Sequence, residues 1–320
     1  MSSILITGAK GFIGTHLSSE LLKRGYSVRG AVRNSIGYDK QASNHDIAVV
    51  GDIGPNTNWR NSLDSVDTVI HLASVTHQSA ILSDETTFTR VNVLGTEQLM
   101  TSCIEAGIKR IIFISSVKVY GEGDFSDITL DESSIVGKGC DGYGRSKLEA
   151  ERSIKNIAKH SPIEFVIIRV PLVYGGQVRG NFESLLKLLK TGIPLPFLGI
   201  KNKRSMISID NLVDFIRCCI SHPKASNNTF LVSDNDDLSL ARLVKIIRTD
   251  MKIPIRLFYT PKLLLRAFFA LLGRSNQFKK LSGNLRVSPI KAEKILGWKP
   301  ITSVETALAK TVKTYMKNGS

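Results

Sequence analysis

The chain has 320 residues, 42% of them hydrophobic and 22% charged, with a formal charge of +15. That length suits one large unit or two lobes around a substantial core, and the composition is that of an ordinary globular protein. No apolar run approaches the ~18 residues of a membrane-spanning helix.

The four cysteines show neither C-x-x-C spacing nor a disulfide framework, which points to a reducing cytoplasm and to a site without metal. The first apolar run begins at Ile4, leaving no room for a signal peptide. Lys and Arg are dense over 187–204 and 262–286. No helix-turn-helix, zinc-finger or aromatic platform accompanies them, so nucleic acid is not an expected partner. The charge reads as a solvated basic surface, a few of whose cations serve a diphosphate site.

In chain order, Ile4–Thr7 predicts a first strand, followed by a helix beginning near Phe12–Gly14 and a second strand over Ser27–Val32. Further strands are expected at Ile47–Val50, Thr68–Leu72, Arg110–Ser115 and Glu164–Val170, with intervals long enough for helices. Strands alternating with helices predict an α/β fold, a doubly wound parallel sheet of the Rossmann type. The turn Gly8-x-x-Gly11-Phe12-Ile13-Gly14 directly follows the first strand. Small residues there let a dinucleotide pyrophosphate approach the backbone at the positive end of the next helix.

The end of the second strand reads Val32-Arg33-Asn34 and carries no acid to accept hydrogen bonds from an adenosine ribose. Arg33 instead suits a 2′-phosphate, favouring NADP over NAD as cofactor. Asp52, followed by Ile53, could accept from the adenine amine, and Leu72-Ala73-Ser74 offers small residues against which a cofactor can lie.

Two further motifs carry chemistry. Ser115-Ser116-Val117-Lys118-Val119-Tyr120-Gly121 ends an apolar run, and Tyr143-Gly144-Arg145-Ser146-Lys147 opens a helical stretch. Oxidising an alcohol needs a base near neutral pH, whereas free tyrosine ionises near pH ~10. A lysine one helical turn away can lower that value, while a serine hydroxyl holds the substrate oxygen.

With these motifs and Asn92-Val93-x-Gly95-Thr96, Arg169-x-Pro171 and Tyr174-Gly175, the chain resembles the extended short-chain dehydrogenase/reductases of the nucleotide-sugar 4-epimerase and 4-keto-reductase group. The resemblance implies that Tyr143 is the general acid/base, Lys147 binds the nicotinamide ribose, and Ser116 rather than Ser115 is the catalytic serine. It adds Asn92 and Pro171 to the cofactor site and implies a cofactor-binding domain over 1–170. Residues 171–320 would form mainly a substrate lobe, with some segments returning to the first domain. Within that lobe Asn181 and Arg204 match positions near the diphosphate, where the planar fork of arginine suits phosphate oxygens. Asn181 is equally readable as a helix cap.

Related 4,6-dehydratases carry an Asp-Glu pair where this chain has Val117 and Lys118, so dehydration is disfavoured. Lys118 is read as a substrate contact or as a side chain facing away. The resemblance implies hydride transfer at C4 of a UDP-hexosamine-type substrate in surface-polysaccharide or O-antigen synthesis. The first expectation is a UDP-4-keto-6-deoxy-N-acetylhexosamine 4-reductase of the N-acetylquinovosamine or N-acetylfucosamine type. The alternatives are a 4-epimerase of UDP-glucose or UDP-N-acetylglucosamine, a 4-epimerase of lipid-linked N-acetylglucosamine diphosphate, and a non-catalytic NADPH-binding module. A homodimer is common in the group. The apolar, basic segment Pro261–Arg274 is expected to pack on the substrate lobe, with a membrane surface or a dimer contact as alternatives.

Overall fold

Runs of branched apolar residues separated by amphipathic stretches become the strands of one parallel sheet. The computed structural model describes residues 2–34, 46–76, 84–122, 125, 128–178, 180–271, 273 and 275–318. The chain begins with β1 (Ser3–Thr7), α1 (Phe12–Lys23), β2 (Ser27–Val32), β3 (Asp46–Val49), α2 (Arg60–Leu63) and β4 (Thr68–His71). Next come α3 (Glu85–Phe88), a π-helical turn over Thr89–Leu94, α4 (Gly95–Glu105), β5 (Arg110–Ser116) and a 3-10 turn over Val117–Tyr120. β6 (Thr129–Leu130), α5 (Gly142–Ala158), β7 (Glu164–Val170), β8 (Leu172–Tyr174), α6 (Asn181–Lys190), β9 (Met206–Ser208) and α7 (Ile209–Ser221) follow. The remainder is β10 (Asn228–Leu231), α8 (Leu240–Asp250), α9 (Lys262–Leu271), α10 (Ser275–Ser282), β11 (Arg286–Val287), α11 (Ile290–Leu296) and α12 (Val304–Asn318).

The large sheet has seven parallel strands in the order β10-β7-β5-β4-β1-β2-β3. Alternation along the strands divides its core. Ile4, Ile6, Ile70, Ile112 and Ile168 face one side with α1 and α7. Leu5, Val69, Ile111, Phe113 and Ile167 face the other with α4 and α5. A strand buried on both faces reads as a continuous apolar run, which is why these segments were legible in the sequence.

The strand order reverses between β1 and β4, because the chain leaves β1 towards β2 and leaves β4 towards β5. Ligands of such sheets bind in the crevice beyond the strand ends at that reversal. A separate apolar cluster joins α6, α8, α9 and α12 through Phe182, Leu186, Val244, Leu265 and Leu308. The chain returns from this second region through β10, which pairs with β7 at the sheet edge.

Candidate active site

The glycine turn lies where β1 runs into α1. Gly8 has φ +69°, and a Cβ added there would lie 2.9 Å from the amide nitrogen of Ala73. A Cβ at Gly14 would lie 2.8 Å from Ala9 Cα, so helix and turn touch through backbone alone. α1 begins after Gly11 with no side-chain cap and no acid in its first turn. This cradle fits a dinucleotide diphosphate, since backbone N–H groups and the helix dipole attract anionic oxygens.

A buried hydrogen-bonded chain braces the neighbouring strand end. The Thr7 hydroxyl accepts from the Ala73 amide at 3.1 Å and lies 2.6 Å from His71 Nδ1. His71 Nε2 lies 3.0 Å from the Thr96 hydroxyl, which donates to the Asn92 carbonyl at 2.7 Å. Burial, with the charge of Lys147 acting the same way, pulls the His71 imidazolium down to about 3. The ring is therefore neutral, with its proton assigned to Nε2 by its partners.

Asn92 sits in the π-helical turn and is buried. Its oxygen accepts from the Val75 amide at 2.8 Å and the Ser74 hydroxyl at 3.0 Å. Its nitrogen donates to the Val75 carbonyl and to Ser146 Oγ, both at 3.0 Å. One amide thus ties the loop after β4 to the first turn of α5. The extra residue of a π turn re-aims a side chain within a helix, as often happens at functional sites.

The Ser116 hydroxyl accepts from the Lys118 amide at 3.2 Å at the end of β5. Ser115 is buried and donates to Glu151 Oε1 at 2.5 Å, leaving Ser116 as the half-exposed hydroxyl of the pair. Tyr143 lies in the first turn of α5, which is capped by the Asp141 side chain. Gly144 permits its close approach to the 3-10 turn, because a Cβ there would lie 3.1 Å from the Lys118 carbonyl carbon.

Lys118 Nζ donates to Asp141 Oδ2 at 2.6 Å and Glu122 Oε1 at 3.1 Å, and lies 5.8 Å from the centre of the Tyr143 ring. Its ammonium is therefore at the rim of the site rather than facing away. Burial works against the charge of Asp141, but hydrogen bonds from Lys118 and the Gly144 amide hold it well below the usual carboxylate range.

The relation between Tyr143 and Lys147 differs from the sequence expectation. Burial and the Asp141 charge push the phenol up to about 12, against a hydrogen bond with Ser74. Lys147 donates to the Ile114 carbonyl at 2.9 Å and lies 4.4 Å from the Phe113 ring centre. Burial pulls its ammonium down to about 7, against the Glu151 carboxylate. In this arrangement desolvation of the phenol outweighs any lowering by the lysine.

Beneath the site, Glu151 and Arg169 form an ion pair with side chains 1% and 4% exposed. Arg169 Nη2 donates to Glu151 Oε2 at 2.7 Å and Nη1 to the Tyr120 hydroxyl at 2.6 Å. Glu151 and Asp141 belong to none of the motifs read from the sequence. Their signals are local: Glu151 follows Lys147 by one helical turn, and Asp141 stands two residues before Tyr143.

Beyond the ends of β2 and β3, Arg33 and Asp52 pair with each other at 2.7 Å with both side chains mostly exposed. Ile53 packs under α4, where a Cβ on Gly95 would lie 2.6 Å from Ile53 Cγ2. Phe12 and Ile13 pack against the core, Leu72 borders it at the end of β4, and Pro171 is buried between β7 and β8. In the second region, the cap of α6 is Gly180 at φ +76°, so Asn181 is the first helical residue and is exposed. Arg204 exchanges backbone hydrogen bonds with Leu238 and donates from Nη1 to the Gly283 carbonyl at 3.2 Å.

Residues 4–233 match the family model described as the NAD dependent epimerase/dehydratase family. The chain belongs to that family. It uses a nicotinamide cofactor. A UDP-glucose 4-epimerase of Vibrio cholerae is 39% identical over 322 residues, spanning 98% of this chain and 96% of the relative. The N-acetyl-α-D-glucosaminyl-diphospho-ditrans,octacis-undecaprenol 4-epimerase of Escherichia coli O157:H7 is 30% identical over 79% of this chain and 74% of its own. Among solved structures, the UDP-glucuronic acid 4-epimerase of Bacillus cereus in complex with NAD matches with a TM-score of 0.79. It is 22% identical and covers 99% of this chain and 100% of that one. At that identity the likeness speaks for the fold.

Proposed function

We propose that this protein transfers hydride at C4 of a sugar carried on a diphosphate, and that its net reaction is 4-epimerisation. The observation that carries this reading is the likeness to a 4-epimerase along almost the whole chain, at 39% identity. The second relative, also a 4-epimerase, acts on N-acetylglucosaminyl diphosphate attached to undecaprenol. A UDP-hexose, a UDP-hexosamine and a lipid-linked hexosamine diphosphate are accordingly the substrates to test.

The glycine turn, Leu72–Ser74 and Lys147 would hold the cofactor, which would supply the hydride acceptor. Ser116 orients the C4 hydroxyl, and Tyr143 takes its proton, then returns it to the C4 oxygen when hydride comes back to carbon C4 on the other face. The raised affinity of the phenol for its proton suits the returning step in particular. Lys118, tethered by Asp141 and Glu122, presents polar hydrogens to the sugar. Asn181 and Arg204 serve the diphosphate from the lobe formed mainly by residues 171–320.

The 4-keto-reductase reading keeps one observation in its favour. Arg33 stands exposed at the end of β2, in an ion pair that a 2′-phosphate could replace at little cost, as an exchanging NADPH requires. Cofactor accounting separates the two. With UDP-glucose, UDP-N-acetylglucosamine and a 4-keto-6-deoxy UDP-hexosamine in turn, absorbance at 340 nm reports net redox and NMR reports C4. Interconversion of C4 epimers without net redox supports epimerisation. Stoichiometric consumption of NADPH by the keto sugar alone replaces it with the reductase. Tyr143→Phe should abolish either turnover while preserving cofactor binding, and unchanged turnover would refute the assignment of the acid/base.

A further inference from the structure

Helix α9 is apolar on two adjoining faces, and the fold uses only one. Leu265 is 4% exposed within the second core, and Phe269 lies 5.2 Å from the Phe278 ring of α10. Packing on the lobe, expected for this segment, accounts for that side alone. On the other side Leu263, Leu264, Phe268 and Leu271 are 74%, 60%, 56% and 88% exposed. At 3.6 residues per turn, positions 264, 268 and 271 form one stripe. Phe258 and Tyr259, just before the helix, are also exposed. Leu272 and Arg274, at the end of the segment singled out in the sequence, lie outside the described residues.

Charge identifies the occupant of this face. Between Asp250 and Glu293 the sequence has no acidic residue but nine lysines and arginines. Exposed Lys262 and Arg266, one turn apart, form the polar side of the helix, turned away from that stripe. A helix of ten residues is about 15 Å long, half the hydrocarbon thickness, so it suits lying on a bilayer rather than crossing it. Among the described residues no helix is long and apolar enough to cross a membrane.

We propose that α9 docks this protein flat on an anionic phospholipid surface. Leu264, Phe268 and Leu271 enter the boundary between headgroups and acyl chains, while Lys262 and Arg266 on the polar side extend their long side chains to the lipid phosphates. The proposal holds equally for a free or a lipid-linked sugar substrate, because the docking face is separate from the residues assigned to catalysis.

Sedimentation of the full chain with phosphatidylglycerol–phosphatidylcholine vesicles, and with pure phosphatidylcholine vesicles, tests it. Binding should require the anionic lipid and weaken with salt. Leu264→Gln/Phe268→Gln should lower partitioning about tenfold or more. Lys262→Gln/Arg266→Gln should lower it roughly thirtyfold. Both pairs replace exposed side chains, and an unchanged circular-dichroism melt verifies each fold. Absence of wild-type binding, equal binding of both variants, or a solution dimer that Leu264→Gln/Phe268→Gln dissociates without any vesicle binding would each overturn the proposal.

Discussion

Replacing Glu151 with leucine would leave the Arg169 guanidinium buried without its carboxylate. In the structure Arg169 meets Glu151 through Nε at 3.0 Å and Nη2 at 2.7 Å, and the Ser115 hydroxyl donates to the same carboxylate. Neither charged side chain has access to water that could replace these bonds. Removing one partner of such a pair costs about 3–5 kcal/mol. With an unfolding entropy of about 2.1 cal/mol/K per residue, a chain of 320 residues loses roughly 1.5 °C of Tm per kcal/mol. Glu151→Leu should therefore melt roughly 5–8 °C below the wild type in a calorimetric scan. Arg169→Met combined with Glu151→Leu should recover much of this loss, because the orphaned charge is gone. A decrease below about 1.5 °C for the single variant, or a double variant no better than the single, would refute the reasoning.

Three other outcomes follow from the site. His71 takes a proton near its ordinary 6.5 when unfolded but only at about 3 when folded, so stability should fall as pH drops through that window. His71→Gln should flatten the urea midpoint between pH 7 and 5, and parallel curves for the two proteins would count against a buried neutral ring. Gly8→Ala forces a side chain into the left-handed region, at about 1–2 kcal/mol, and towards Ala73. Calorimetric titration should show cofactor affinity reduced about tenfold or more, since the phosphate turn must open. Arg33→Ser should weaken NADPH about tenfold while leaving NADH unchanged, because only the 2′-phosphate calls on the guanidinium. Equal effects on both cofactors would exclude that role.

Local chemistry carried much of this site. Gly8, Gly11 and Gly14 stand directly after an apolar run, and only a turn needing close backbone approach explains three glycines at that spacing. β2 and β7 occupy the ranges read from the sequence, and in β7 the run Phe165–Ile168 is continuously apolar because a central strand is covered on both faces. Tyr143 and Lys147 declared themselves as a pair one helical turn apart, since a helix brings such positions together by its own geometry.

Features that arise within one strand, turn or helix are thus legible in the order of residues. Packing alone settled that β10 rejoins the sheet beside β7, and that Asn92 meets Val75 and Ser146 from a π turn. It also decided that the Tyr143 proton is held by burial and Asp141, and that Lys147 points to Ile114. The same is true of α9, whose two apolar faces are alike in the sequence until Leu265 is buried and Phe268 is left in solvent. These facts depend on desolvation and on contacts between residues distant in the chain. Neither is a property of a local run of amino acids, so neither is legible before the elements pack.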